Sequence, residues 1–231
     1  MIGIICAEKQ ELDEILKLMS NKSEEIFSFF EFIKGKINNQ DCVVALSGVG
    51  KVSSAICAQT LILKYCPNFI LNVGVAGGIA ENINIFDTVI ANNVVQHDFD
   101  VSAFPNRKKG EIPALNLVQI PCSPWIIKNI SSIIKNTVKN IKIHYGTVVS
   151  GDQFINSPTK LIQLNNYFCG IACDMESGAI GQTCLLNKID FGIIRSISDN
   201  ANSSAKVNFG KFIIKASVNA CNILSEFLKT I

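Results

Sequence analysis

The sequence predicts a three-layer α/β/α sandwich with a central mixed, twisted sheet, formed by one domain over 1–231. Three observations point there. Apolar runs of strand length alternate with amphipathic runs of helix length from end to end. Runs such as Phe69-Ile-Leu-Asn-Val73 are apolar on both faces, as strands of a sheet covered on both sides must be. No repeat, low-complexity stretch or linker divides the chain, and 231 residues suit one sizeable core.

The elements follow in order. A strand is expected at 2–6 and a helix at 8–20, where Leu12, Ile15, Leu16 and Met19 recur at i, i+3, i+4 and i+7. Strands over 26–34 and 42–47 precede a helix over 51–66, and strands over 69–74 and 87–95 follow. The stretch 97–121 holds Pro105, Gly110, Pro113 and Pro121 and reads as a long excursion, a length that usually serves function. Then come a helix at 124–138, a strand at 143–150, helices at 159–167 and 176–187, and a strand at 190–197. A last helix over 208–229 carries Ile213, Ala216, Ala220, Leu224 and Phe227 on one stripe.

Composition removes several classes of function. With 48% hydrophobic residues and a mean hydropathy of +0.31, the chain is not disordered. Lys plus Arg is 21 against 19 for Asp plus Glu. The one basic cluster, Arg107-Lys108-Lys109 beside Gly110, reads as a solvated loop rather than a nucleic-acid face. No apolar run approaches the ~18–20 residues of a membrane span. The opening Met1-Ile-Gly-Ile-Ile-Cys6 lacks a basic flank and reads as a strand rather than a leader. The nine cysteines are odd in number and irregularly spaced, and no second pair or nearby His completes a zinc set around Cys169 and Cys173. Buried free thiols in a reducing cytoplasm are expected, with no metal and no other cofactor.

Two glycine-rich segments invite nucleotide readings. Ser47-Gly-Val-Gly-Lys51 fails the phosphate-loop pattern, with Ala45 at the first glycine position and Val52 after the lysine. Asn72-Val-Gly-Val-Ala-Gly-Gly78 is not a dinucleotide fingerprint. Its glycines, Gly77 among them, allow a ligand close to the backbone at a strand's carboxyl end, or a tight strand–helix turn.

Ligands of open α/β sheets collect at those carboxyl ends. Glu11 follows the first strand, Glu176 follows Gly170-Ile-Ala-Cys173, and Asp199 ends the run from Phe191 to Ser198. Singly, each has an ordinary explanation as a helix-start acid or cap. Together, three carboxylates at three strand ends converge on one cleft. Phe154 and Ile155, in Ser150-Gly-Asp-Gln-Phe-Ile-Asn156, could clamp a flat base there or pack in the core.

Seven stretches, in order, resemble the 5′-methylthioadenosine/S-adenosylhomocysteine nucleosidases of the nucleoside phosphorylase fold group: Ala7–Glu11, Ser47–Lys51, Gly74–Gly78, His97-Asp-x-Asp-Val101, Ser150–Ile155, Asp174-Met-Glu176 and Arg195-Ser-Ile-Ser-Asp199. The resemblance implies that Glu11 deprotonates a water and Asp199 protonates N7 of an adenine. It gives Glu176 both ribose hydroxyls, Met175 the sugar, Phe154 and the Ile155 backbone the base, and Phe209 the 5′-thioalkyl group. Gly77 and Arg195 complete the substrate-contacting set. Val101 and Phe104 would reach into the site of a second subunit, so a homodimer is implied. Val75, where several members carry Ser, and Asp174, more often apolar, depart from the pattern. The rivals are a purine nucleoside phosphorylase, a non-catalytic nucleoside-binding protein and a 6-amino-6-deoxyfutalosine nucleosidase that would use the same residues.

Overall fold

Strand β5 (Phe69–Gly78) is the spine of the sheet, and all ten of its residues are buried. The computed structural model describes residues 1–137, 141–201 and 205–231. On one side β5 pairs in parallel with β1 (Ile2–Cys6), which pairs in parallel with β4 (Gln40–Leu46). An antiparallel hairpin of β3 (Phe30–Ile37) and β2 (Ser20–Phe27) extends that half outward.

On its other side β5 pairs with two strands. It runs parallel to β10 (Asp190–Asp199) and meets β9 (Gly170–Asp174) antiparallel at Gly77 and Gly78. β10 continues to β6 (Thr88–Gln96), β6 to β8 (Ile143–Ser150), and β8 back to β9. This half therefore closes on itself as a ring of β5, β10, β6, β8 and β9, with the short β7 (Ile120–Pro121) paired to β6. Closure removes the exposed edge that an open sheet would leave there.

Helices cover both faces, because successive strand residues point to opposite sides. Ile4, Val44 and Leu71 pack with α1 (Lys9–Leu18), α3 (Pro124–Thr137) and α6 (Ala205–Leu228). Ile5, Val43 and Ile70 face the opposite way, into the layer of α2 (Lys51–Tyr65) and α5 (Ser177–Leu186). The expected three layers and mixed sheet are therefore present. α4 (Pro158–Phe168) lies against β8 and β9.

Some expectations need correction. The strand over 26–34 is two strands, because Ser28 takes a left-handed φ of 56° and turns the chain into the β2–β3 hairpin. The helix over 8–20 ends at Leu18, with Met19 extended and Ser20 already in β2. β5 runs four residues past the expected 74, because its glycine-rich end is paired rather than looped. β9, an apolar run too short to count as an expected strand, closes the ring. The last residue of the helix over 124–138 lies outside the described residues. The stretch 97–121 is irregular, yet Ile112 and Ile120 are buried in the core and anchor it. Seven cysteines are buried, whereas Cys66 and Cys169 are exposed at the left-handed ends of α2 and α4.

Phe227 of α6 is fully buried against Phe69 of β5 and Trp125 of α3, with ring centroids 6.1 Å from each. Phe227→Ala removes the contact joining those three elements. It should cost about 3–5 kcal/mol, a Tm loss on the order of 10 °C, read by calorimetry.

Candidate active site

One cleft at the carboxyl ends of β1, β5 and β10 is lined by Glu11, Gly77, Phe154, Ile155, Met175, Glu176, Asp199 and Phe209, together with Val49, Val75, Cys173 and Ser198. The expected convergence of three carboxylates occurs there.

Glu11 sits in the first turn of α1 and is 2% exposed. Its Oε2 accepts the backbone N–H groups of Ala7 (2.8 Å) and Glu8 (3.0 Å), and its Oε1 accepts that of Val75 (2.8 Å). Three of the roughly four lone-pair positions of the carboxylate are thus fixed by the main chain. Gly74 makes this approach possible, because a Cβ there would lie 2.4 Å from both Glu11 Oε1 and Arg195 Nη1.

Asp199 ends β10 beyond a register shift between Ile197 and Asp199, and a bulge of this kind re-aims the side chain that follows it. The carboxylate accepts the Ala201 N–H (2.8 Å) and the Ser198 hydroxyl (2.9 Å). Burial raises its pKa above the ordinary value, against the pull of those two donors.

Glu176 stands at the start of α5 and accepts the Gly50 N–H at 3.2 Å. Burial pushes its pKa up to about 7, with Arg195 drawing it down and Asp174 and Glu11 pushing it further up.

Arg195 does not line the cleft. It is wholly buried behind the wall, which corrects its placement among substrate-contacting residues. Its Nε pairs with Asp174 (2.9 Å), and its Nη2 reaches Asn72 Oδ1 (2.7 Å), Ser177 Oγ (3.1 Å) and Glu176 (3.4 Å). Nη1 lies 3.9 Å from Glu11. Burial alone would lower its pKa, but Asp174, Glu176 and Glu11 hold it above the ordinary value. It reaches the cleft only through residues that line it: Glu11, Asp174, Glu176 and the Val75 carbonyl.

Sequence reasoning missed Asn72, Ser177 and Ser198, and saw Asp174 only as a departure. Asn72 is a polar residue in an apolar strand, which was the available signal. Its Nδ2 donates to Ile5 O (3.0 Å), and its Oδ1 accepts from Ser177 and Arg195.

Phe154, half-exposed at the mouth, meets Phe209 edge-on with centroids 6.0 Å apart. Val101 and Phe104 lie on the 97–121 stretch and do not line this cleft; Phe104 is 68% exposed. Chemically, the cleft offers a buried acid with a raised pKa, a backbone-clamped carboxylate, a third carboxylate, and an aromatic wall.

A family model described as the phosphorylase superfamily matches residues 1–229. The 5′-methylthioadenosine/S-adenosylhomocysteine nucleosidase of Shewanella sp. (strain MR-7) is 35% identical, covering 99% of this chain and 96% of the relative. The crystal structure of the Neisseria meningitidis enzyme of the same name, in complex with methylthio-immucillin-A, superposes with a TM-score of 0.95 at 29% identity, covering 100% of this chain and 99% of that one. Native futalosine hydrolase of Helicobacter pylori strain 26695 superposes with a TM-score of 0.94 at 30% identity, covering 100% and 97%. The chain belongs to the phosphorylase superfamily and, within it, to the 5′-methylthioadenosine/S-adenosylhomocysteine nucleosidase family.

Proposed function

We propose that this protein hydrolyses the N-glycosidic bond of 5′-methylthioadenosine and S-adenosylhomocysteine, releasing adenine and the 5-substituted ribose. The observation that carries the reading is the meeting of Glu11 and Asp199 in one cleft with Phe154 and Glu176.

Cleavage passes through an oxocarbenium-like sugar, so the base must leave readily and water must be placed at the anomeric carbon. Asp199, its pKa raised by burial, donates to N7 and makes adenine a neutral leaving group. Ser198 and the Ala201 N–H then hold the carboxylate that remains. Glu11 uses its remaining lone pair to orient and deprotonate the water. Glu176, ionised, accepts from both ribose hydroxyls, while Met175 lies along the sugar. Phe154 stacks on the base, the Ile155 backbone reads its edge, and Phe209 lines the 5′-thioalkyl pocket. A second copy of the chain completes the site through Val101 and Phe104, which this chain's own cleft leaves unused. The free thiols fit a cytoplasmic setting, and no described helix is long and apolar enough to cross a membrane.

Likeness to futalosine hydrolase favours aminodeoxyfutalosine as a second substrate that the same residues would serve. A panel of adenine nucleosides with adenine release as readout tests both readings; no release from any member refutes them together.

Asp199→Asn should cost at least ~10²-fold in turnover while an adenosine analogue binds almost as before, and Glu11→Gln should match it. Retention of a tenth of wild-type turnover by the Asp199 variant rejects it as the acid.

Loss of the ribose 2′-hydroxyl should weaken kcat/KM about tenfold or more, because Glu176 loses a partner. In Glu176→Ala the two substrates should become nearly equal. Equal rates on both substrates in the wild type rule out the diol role.

Water, not phosphate, should be the nucleophile. Arg195 is committed to carboxylates, Lys51 pairs with Asp98 at 2.7 Å, and Arg107 lies far along the polar loop with Glu111. Initial rates on methylthioadenosine in phosphate-free and phosphate buffers should coincide, with free 5-methylthioribose as the product. Phosphate-stimulated turnover giving the 1-phosphate assigns the chain to the phosphorylases instead.

A further inference from the structure

The Gly48-Val-Gly-Lys51 turn fails the phosphate-loop pattern, yet it folds as an anion-binding turn whose anions are the protein's own. Gly48 and Gly50 take φ of 70° and 100°, open to glycine and strained for other residues. The Gly50 N–H donates to Glu176 (3.2 Å), and the Lys51 N–H donates to Asp152 Oδ1 (2.7 Å). The Lys51 ammonium donates to Asp98 Oδ1 at 2.7 Å. The other oxygen of Asp98 accepts the backbone N–H of Asp152 at 2.8 Å.

These bonds close a cycle. Lys51 holds Asp98 through its side chain, Asp98 holds the Asp152 backbone, and the Asp152 side chain holds the Lys51 backbone. Each residue comes from a different motif: the start of α2, the His97-Asp-x-Asp-Val101 stretch, and the Ser150–Ile155 loop. None of the three has a role in the proposed chemistry. The ion pair is mostly sheltered, at 18% and 16% side-chain exposure, so solvent and salt screen it weakly.

Packing around the cycle is tight. A Cβ at Gly151 would lie 2.6 Å from His97 Nε2 and 2.9 Å from Asp98 Cγ. His97 is buried, neither ring nitrogen has a partner among the described residues, and burial lowers its pKa to about 4. The imidazole is therefore neutral at physiological pH and leaves Lys51 as the cation that pairs with Asp98. Burial alone would raise the Asp98 carboxyl, but Lys51 and the Asp152 N–H hold it below its ordinary value.

We infer that Lys51, Asp98 and Asp152 form a latch of positioning residues that sets the nucleoside-binding geometry by locking the base-binding loop 150–155 to the turn that holds Glu176. Phe154 and Ile155 lie two and three residues beyond Asp152, and Gly50 lies one before Lys51, so a slack cycle loosens base and sugar contacts together. The latch also ties the loop to the stretch carrying Val101 and Phe104. The inference rests on the nucleosidase reading for what is bound, but not for the mechanical coupling of the loops.

Two measurements test it on the full-length protein. In Lys51→Met, amide hydrogen exchange should quicken at 150–155 and at 97–100 together, and Asp98→Asn should reproduce that pattern. Adenine affinity by calorimetry should weaken about tenfold, KM should rise to match, and kcat should stay within about threefold. Lys51→Arg should restore most of the affinity, and the Lys51→Met/Asp98→Asn double variant should lose no more than the worse single one, since the two act as a unit. If Lys51→Met fails to fold, Asp152→Asn, which keeps shape and removes charge, replaces it. Exchange that is unchanged at 150–155, or additive losses in the double variant, overturns the latch. Faster exchange with unchanged adenine affinity overturns its positioning role. A wild-type protein that releases adenine from no nucleoside sinks the nucleosidase reading, and the exchange result still decides the latch.

Discussion

The buried guanidinium of Arg195 is the interaction on which the rest of the site depends. Asp174, Glu176 and Glu11 all approach it, and none of the four groups has appreciable solvent. An isolated carboxylate in such a place would neutralise itself rather than remain charged. Removal of one partner from a buried ionic group typically costs several kcal/mol, because the others are left unpaired. Asn72 and Ser177 supply further contacts to the same guanidinium, so its position is set from several directions. Asp174 is therefore no neutral departure from the family pattern. It gives Arg195 its shortest ionic contact and, through its other oxygen, accepts the N–H groups of Glu176 and Ser177 at the start of α5.

Counting charge explains more than geometry does. One cation among three carboxylates leaves the cluster with an excess of negative charge beside the cleft. The raised pKa of Glu176 comes first from burial; Arg195 draws it down, and Asp174 and Glu11 push it further up. For the proposed reaction this imbalance is useful. The sugar gains positive charge as the base departs, and a preorganised negative surround stabilises that state more than the neutral substrate. Asp199 lies apart from this cluster, raised by burial rather than by neighbouring carboxylates.

Much of this was legible in the chain. Apolar periodicity located most strands and helices, because buried strands and amphipathic helices leave opposite signatures in sequence. The three acids could be placed because ligand sites of α/β sheets lie at strand ends, and each of the three follows an apolar run. Asn72, Ser177 and Arg195 could not be joined from sequence, since their bonds span separations of 105 and 123 residues. Arg195 was read as a substrate contact for the same reason, since nothing local shows that its partners lie behind the cleft wall. β9 escaped notice because five residues are too few to carry a period. The hairpin turn at Ser28 carries neither Gly nor Pro, so the chain reads as one strand where it makes two.

The closed half of the sheet accounts for where the chemistry sits. β8, β9 and β10 belong to the ring, and their ends deliver Phe154, Glu176 and Asp199. β1 belongs to the open half and delivers Glu11. The two halves share only β5, so Asp199 and Glu11 would be set independently unless something crossed between them. Arg195 makes that crossing. It rises from β10 in the ring, passes the glycine backbone of β5 at Gly74, and approaches Glu11, whose Oε1 also accepts the Val75 N–H of β5. A larger residue at 74 would block both contacts at once. The glycine-rich end of β5, which falls short of a dinucleotide fingerprint in sequence, is the gap through which the two halves of the site are brought into one register.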